Sequence, residues 1–142
     1  MALPAPHELA EQLIAQAPDR AWLRALTDDL DREIRKEPLE RLLALWGLSA
    51  AEAARAFSVS RQALSKWRRS GIPPDRVPAL TDLAEATDLL DRRVKRERIP
   101  AVVRRPAEIL GGRSLLDLVF EGKHAEVRDA VAAIFDLRRV QP

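Results

Sequence analysis

Between Gly47 and Gly71 the chain has room for only two short helices and a tight turn, and that spacing limits what the rest can become. Ser49-Ala50-Ala51-Glu52 has the form of a capping box, in which a serine hydroxyl accepts from the amide three residues on and the glutamate reaches back. The helix it opens turns Ala53, Ala54 and Phe57 inward and then stops. Ser58-Val59-Ser60 follows as a three-residue turn, with Ser60 as the natural N-cap of the next helix and Val59 plugging the angle between the two. An alanine-rich first helix lets the second pack closely across it, which is a helix-turn-helix arrangement.

The second helix, Arg61 to Arg69, is amphipathic in an unusual way. At about 100° per residue, Ala63, Leu64 and Trp67 share one sector and must face a core. Gln62, Ser65 and Arg69 then point outward, flanked by Arg61, Lys66 and Arg68. Exposed helix faces usually mix charges, because opposite signs four residues apart support the helix. No acid stands between Glu52 and Asp75, so phosphate is the natural counter-charge. Glutamine and arginine near the end of a helix that enters the major groove can read adenine and guanine edges. The expected DNA-binding set is therefore Ser60 at the helix start, Arg61, Gln62 and Ser65 toward bases, and Lys66, Arg68 and Arg69 toward the backbone.

The rest of the chain reads as helical too. Ala, Leu, Arg and Glu dominate, and no alternating apolar and polar run bounded by hairpin turns is present, so the expected class is all-α. Prolines suggest three parts. Residues 1–37 hold a short helix near Glu8 to Gln16 and a longer one from about Asp19, whose Leu23, Leu26, Leu30 and Ile34 form a stripe. That stripe fits either packing on its own domain or a short dimer seam. Residues 38–91 form the helix-turn-helix domain, with Pro38 opening a helix that buries Leu42, Leu43, Leu45 and Trp46 and ends at Gly47. A further helix from near Pro74 carries Val77, Leu80, Leu83, Leu89 and Leu90.

Residues 92–142 begin with Arg92, Arg93, Lys95, Arg96, Arg98, Arg104 and Arg105 against Glu97, which is either a solvated run or a second phosphate-contacting patch. Gly111 then closes a short helix, Ser114 and Asp117 cap the next, and Val127, Val131, Ile134 and Phe135 line the last. The Gly111-Gly112-Arg113 loop has neither a preceding strand nor a nucleotide-binding glycine pattern, so it reads as a helix-helix turn.

Two resemblances emerge from these residues. The run LSAAEAARAFSVSRQALSKWRRSGIP resembles the helix-turn-helix of Xre and Cro type bacterial repressors, with Ser58 standing where glycine is usual. Pro106, Leu110, Gly111, Gly112, Arg113, Ser114, Leu116 and Leu118, followed by Glu126-Val127, resemble the toxin-binding domain of the Xre/MbcA/ParS antitoxin family, with Leu115 replacing the usual proline. The two occur in the family's order. The resemblance implies a homodimeric antitoxin that represses its own operon through operator DNA and blocks a cognate toxin bearing an RES domain. Such toxins are similar to ADP-ribosyltransferases and consume NAD, whereas the antitoxin needs no cofactor. The expected toxin-binding residues are Leu110, Gly111, Gly112 and Arg113, with Arg138 and Arg139 of the C-terminal tail able to reach a neighbouring cleft. A stand-alone regulator whose C-terminal domain serves dimerisation or sensing is the alternative.

Other classes find little support. Cysteine is absent, and the only histidines, His7 and His124, lie too far apart for a local metal motif. No serine, histidine and acid arrangement suggests an enzyme. No apolar run is long enough to span a bilayer, so a soluble cytoplasmic protein is expected.

Overall fold

The computed structural model describes residues 2–140, with side chains for all of these except Arg35 and residues 137–140. The class is all-α, as expected. The described residues form eight α-helices: α1 (Pro6–Gln16), α2 (Arg20–Trp46), α3 (Ala50–Ala56), α4 (Arg61–Ser70), α5 (Val77–Arg93), α6 (Ile99–Arg104), α7 (Leu115–Phe120) and α8 (His124–Val140).

Local caps set most of the boundaries. Asp19 Oδ1 accepts from the Trp22 amide at 2.8 Å to start α2, and Gly47 ends it in a left-handed conformation. The Ser49–Glu52 and Ser114–Asp117 boxes are both formed, and Ser60 Oγ accepts from the Ala63 amide at 3.1 Å.

Pro38 departs from the sequence expectation. It does not open a helix; α2 runs through it as one 27-residue rod. A proline in a helix interior lacks an N–H, which leaves the Ile34 carbonyl without its intrahelical donor. Ile34 is exposed, so water can take that role. Immediately beyond the proline, Leu39, Leu42, Leu43 and Trp46 are buried, and their packing holds the helix on course.

Those four residues belong to a single core cluster that also takes Phe57, Leu64 and Trp67 from the helix-turn-helix, Leu80, Leu83 and Leu90 from α5, Ile99 and Val103 from α6, and Val127, Val131 and Phe135 from α8. α5 and α8 lie along one another, and the second half of α2 packs against α4, α5 and α6. The helix-turn-helix and the C-terminal helices therefore share one interior. Within it, the Trp46 indole donates to Thr87 Oγ1 at 3.0 Å, and Thr87 donates to the Leu83 carbonyl at 2.6 Å, so neither buried polar group is orphaned.

Arg104 joins the two halves across that interior. Its guanidinium donates to the carbonyls of Trp46, Gly47 and Pro100 at 2.7 to 2.9 Å and reaches the Glu52 carboxylate at 3.2 Å. The Ser49 amide first, and Arg104 after it, hold the Glu52 carboxyl below its ordinary range. Another tie comes from His124, whose Nε2 is 2.9 Å from the Ala56 carbonyl while its ring stacks on Phe57.

The first 37 residues contribute no buried side chain among those described. No helix of the described residues is long and apolar enough to cross a membrane.

Candidate functional site

The turn between α3 and α4 is built as the spacing demands. The Ser58 amide donates to the Arg55 carbonyl at 3.1 Å and the Val59 amide to the Ala54 carbonyl at 3.0 Å. Ser58 sits at φ 53°, the sole non-glycine residue with positive φ among those described. A side chain there costs on the order of 1 kcal/mol relative to glycine. Ser58→Gly is accordingly expected to stabilise the fold by about 1 kcal/mol in urea unfolding; a loss of stability would show that the serine hydroxyl outweighs the strain.

Leu64 and Trp67 of α4 are buried, Ala63 is half-buried, and Trp67 meets Phe57 edge to face at 5.8 Å. The opposite face presents Arg61, Gln62, Ser65, Lys66 and Arg69, all exposed and none engaged by another described side chain. Ser60 lies at the edge of this face with its hydroxyl committed to the cap.

Arg68 corrects the expectation of an unanswered cation. Its Nε and NH2 donate to the two oxygens of Glu40 in α2 at 2.6 and 2.9 Å, a bidentate pair. The Arg68 bond holds the Glu40 carboxyl below its ordinary range and raises Arg68 correspondingly. Arg68 therefore ties α4 to α2 in the unbound protein, with its side chain still exposed. A close approach follows at the exit of α4: Gly71, at φ 89°, passes so near α2 that a Cβ there would lie 3.2 Å from the Arg32 carbonyl oxygen.

Three cations of the basic run after α5 are engaged within the protein, while Arg92, Lys95, Arg98 and Arg105 are exposed. Arg96 pairs with Asp91 at 2.8 Å, Asp91 is also held by Arg41, and the half-buried Arg104 is bound to the end of α2. Arg93 lies 6.0 Å from the centre of the Phe135 ring.

The second predicted site is the turn after α6. Gly111 and Gly112 follow one another at φ 68° and 80°, with no atom near where a Cβ would stand, so backbone conformation rather than space calls for glycine. The Gly112 amide donates to the Ala107 carbonyl and the Ala107 amide to the Arg113 carbonyl, each at 3.0 Å, closing a compact loop. Leu110 is half-buried against the core, and Arg113 is exposed and paired with Glu121 at 3.1 Å. Beside them Arg55 of α3 lies 4.1 Å over the Phe120 ring, so this turn abuts the first helix of the helix-turn-helix. Arg138 and Arg139, the remaining predicted residues, have side chains outside the described residues.

Sequence reasoning missed Ile109, which is 61% exposed just before the glycine pair. An isoleucine next to a leucine gives no sign of which one faces out. The structure sorts them through a short 3-10 turn over Glu108–Leu110, which places Ile109 and Leu110 on different sides.

No protein-family model matches the chain. The chain is similar to the "Probable mycobacterial cidal antitoxin Rv3188" of Mycobacterium tuberculosis (strain ATCC 25618 / H37Rv), 24% identical over 107 residues that cover 75% of this chain and 93% of that protein. Its fold is similar to that of a chain in the crystal structure of the M. tuberculosis MbcT–MbcA toxin–antitoxin complex, with a TM-score of 0.56, 22% identity, and coverage of 69% of this chain and 90% of that one.

Proposed function

We propose that this protein is an antitoxin that binds a toxin through the Ile109–Arg113 turn and binds DNA through α4. The observation that carries the DNA half is the exposed face of Arg61, Gln62, Ser65, Lys66 and Arg69, polar or cationic throughout and without partners among the described side chains. Similarity to an antitoxin over nearly all of that protein's length supports the other half. In this reading residues 38–91 engage operator DNA and repress the protein's own operon. Residues 92–142, including Arg138 and Arg139, engage an RES-domain, NAD-consuming toxin, and residues 1–37 serve self-association, so that a homodimer meets paired half-sites.

Binding to the DNA upstream of its own gene, followed by fluorescence anisotropy, tests the first half. Gln62→Ala is expected to cost roughly 1 to 3 kcal/mol on the operator and little on random DNA. Arg69→Ala is expected to weaken both alike and to lower the salt slope by about one unit. Equal losses on operator and random DNA for Gln62→Ala would remove that residue from base readout. Co-expression with the product of the adjacent gene tests the second half, with rescue of growth as the expected result.

A stand-alone regulator is the second reading, favoured by one observation: α6, α7 and α8 complete the core on which the helix-turn-helix rests, a purely architectural reason for their presence. Operator binding without any toxin partner would select it.

A further inference from the structure

We infer that the cavity between the end of α5 and α8 is a binding site for a small anionic amphiphile, a molecule with an apolar body and a carboxylate head. The cavity holds about 320 Å³ and is bounded by α5, α6, the first turn of α7 and α8. Leu90, Leu115 and Val131 form its floor and are buried, whereas Arg93, Lys95 and Arg98 stand exposed at its mouth. The other described lining residues are apolar, so below the cationic rim the side chains present only hydrocarbon.

Charge and chemistry select the occupant. Lys95 and Arg98 pair with no described side chain, and Arg93 lies beside the Phe135 ring at 6.0 Å without meeting an acid among the described residues. Asp91 is already taken by Arg41 and Arg96, and neither Glu97 nor Asp136 lines the cavity. Three like charges around an apolar recess concentrate positive potential there, which an anion relieves. The described lining side chains include no hydroxyl, amide or carboxylate, so the sugar or base of a nucleotide would lose its hydration without gaining partners. The volume falls in the range of small-ligand sites, roughly 300 to 1,000 Å³, while a stable protein partner needs about 800 Å² of surface on each side. An alkyl carboxylate meets each requirement: its chain covers the floor, and its head stays at the mouth among the cations.

Decanoate is the probe. Below its micelle threshold it is expected to bind the full chain in titration calorimetry with a Kd on the order of 100 µM. Binding should raise the Tm and shift the methyl signals of Val102, Val131 and Ile134 in NMR. Acetate, which lacks the body, and decyltrimethylammonium, which carries the opposite head charge, are expected to leave those signals unmoved. Lys95→Glu with Arg98→Glu changes two exposed side chains, so it is expected to preserve helix content by circular dichroism and to raise the decanoate Kd about tenfold or more. No response to decanoate at millimolar concentration, equal binding of decyltrimethylammonium, or full affinity in the charge-reversed chain would each overturn the inference. So would association with phosphatidylglycerol vesicles in place of a decanoate response, which would assign these cations to a membrane surface. Neither DNA nor toxin enters these measurements, so they stand or fall apart from the proposed function.

Discussion

Ile109→Asp is expected to abolish neutralisation of the toxin while leaving operator affinity and thermal stability within experimental error of wild type. Among the described residues beyond the first 37, Ile109 is the most exposed large apolar side chain, and it stands in a loop whose ends are tied by backbone bonds from Ala107 to Arg113 and from Gly112 and Leu110 to Ala107. A rigid loop loses little entropy on docking, so an apolar anchor upon it can supply a large part of a binding energy. Removing such an anchor and burying a carboxylate in its place should cost roughly 3 to 4 kcal/mol, a loss of more than a hundredfold in affinity by titration calorimetry. Retained rescue of growth with unchanged affinity would move the toxin-binding surface elsewhere. The substitution is a cleaner test than cutting the chain after α5, because α8 packs along α5 and its removal would open the core.

Arg104→Ala should produce the largest loss of stability among changes outside the apolar core. One guanidinium satisfies the terminal carbonyls of α2, the Pro100 carbonyl and the Glu52 carboxylate. Helix-end carbonyls have no other intrahelical donor, and a bond from a charged group is worth about 1.5 to 3 kcal/mol. Partial exposure of the arginine discounts the ionic part, so about 3 kcal/mol, or a fall in Tm of roughly 10 °C, is expected in calorimetry. Arg104→Lys should recover less than half of this, because an ammonium cannot reproduce the fork. A loss below about 1 kcal/mol would mean that water replaces the guanidinium at these carbonyls.

The contrast between these residues and those that could be read directly is one of range. Ser49, Ser60 and Ser114 act on amides three residues away, so each cap was legible in the sequence and is formed in the structure. The buried sides of α4 and α8 followed from helical period alone. Pro38 was misread because the rule against interior proline is a local penalty of about 3 kcal/mol, which buried neighbours one turn later can offset. Arg68 looked free of acids because Glu40 stands 28 positions earlier on another helix. Arg104, 52 positions from Glu52, appeared as one more member of a basic run. Nothing in periodicity or charge counting reports which distant helix a side chain meets.

The shared interior has a consequence for how such a protein would be switched off. A repressor and an inhibitor on separately folded domains can be dismantled one at a time, so that a protease removing one leaves the other at work. Here Phe135 and Leu64 lie in the same apolar cluster, and unravelling α8 withdraws the support of the helix-turn-helix. If the protein acts as proposed, proteolytic attack on α8 therefore ends both activities in one event, and release of the toxin and renewed transcription of the operon would begin together.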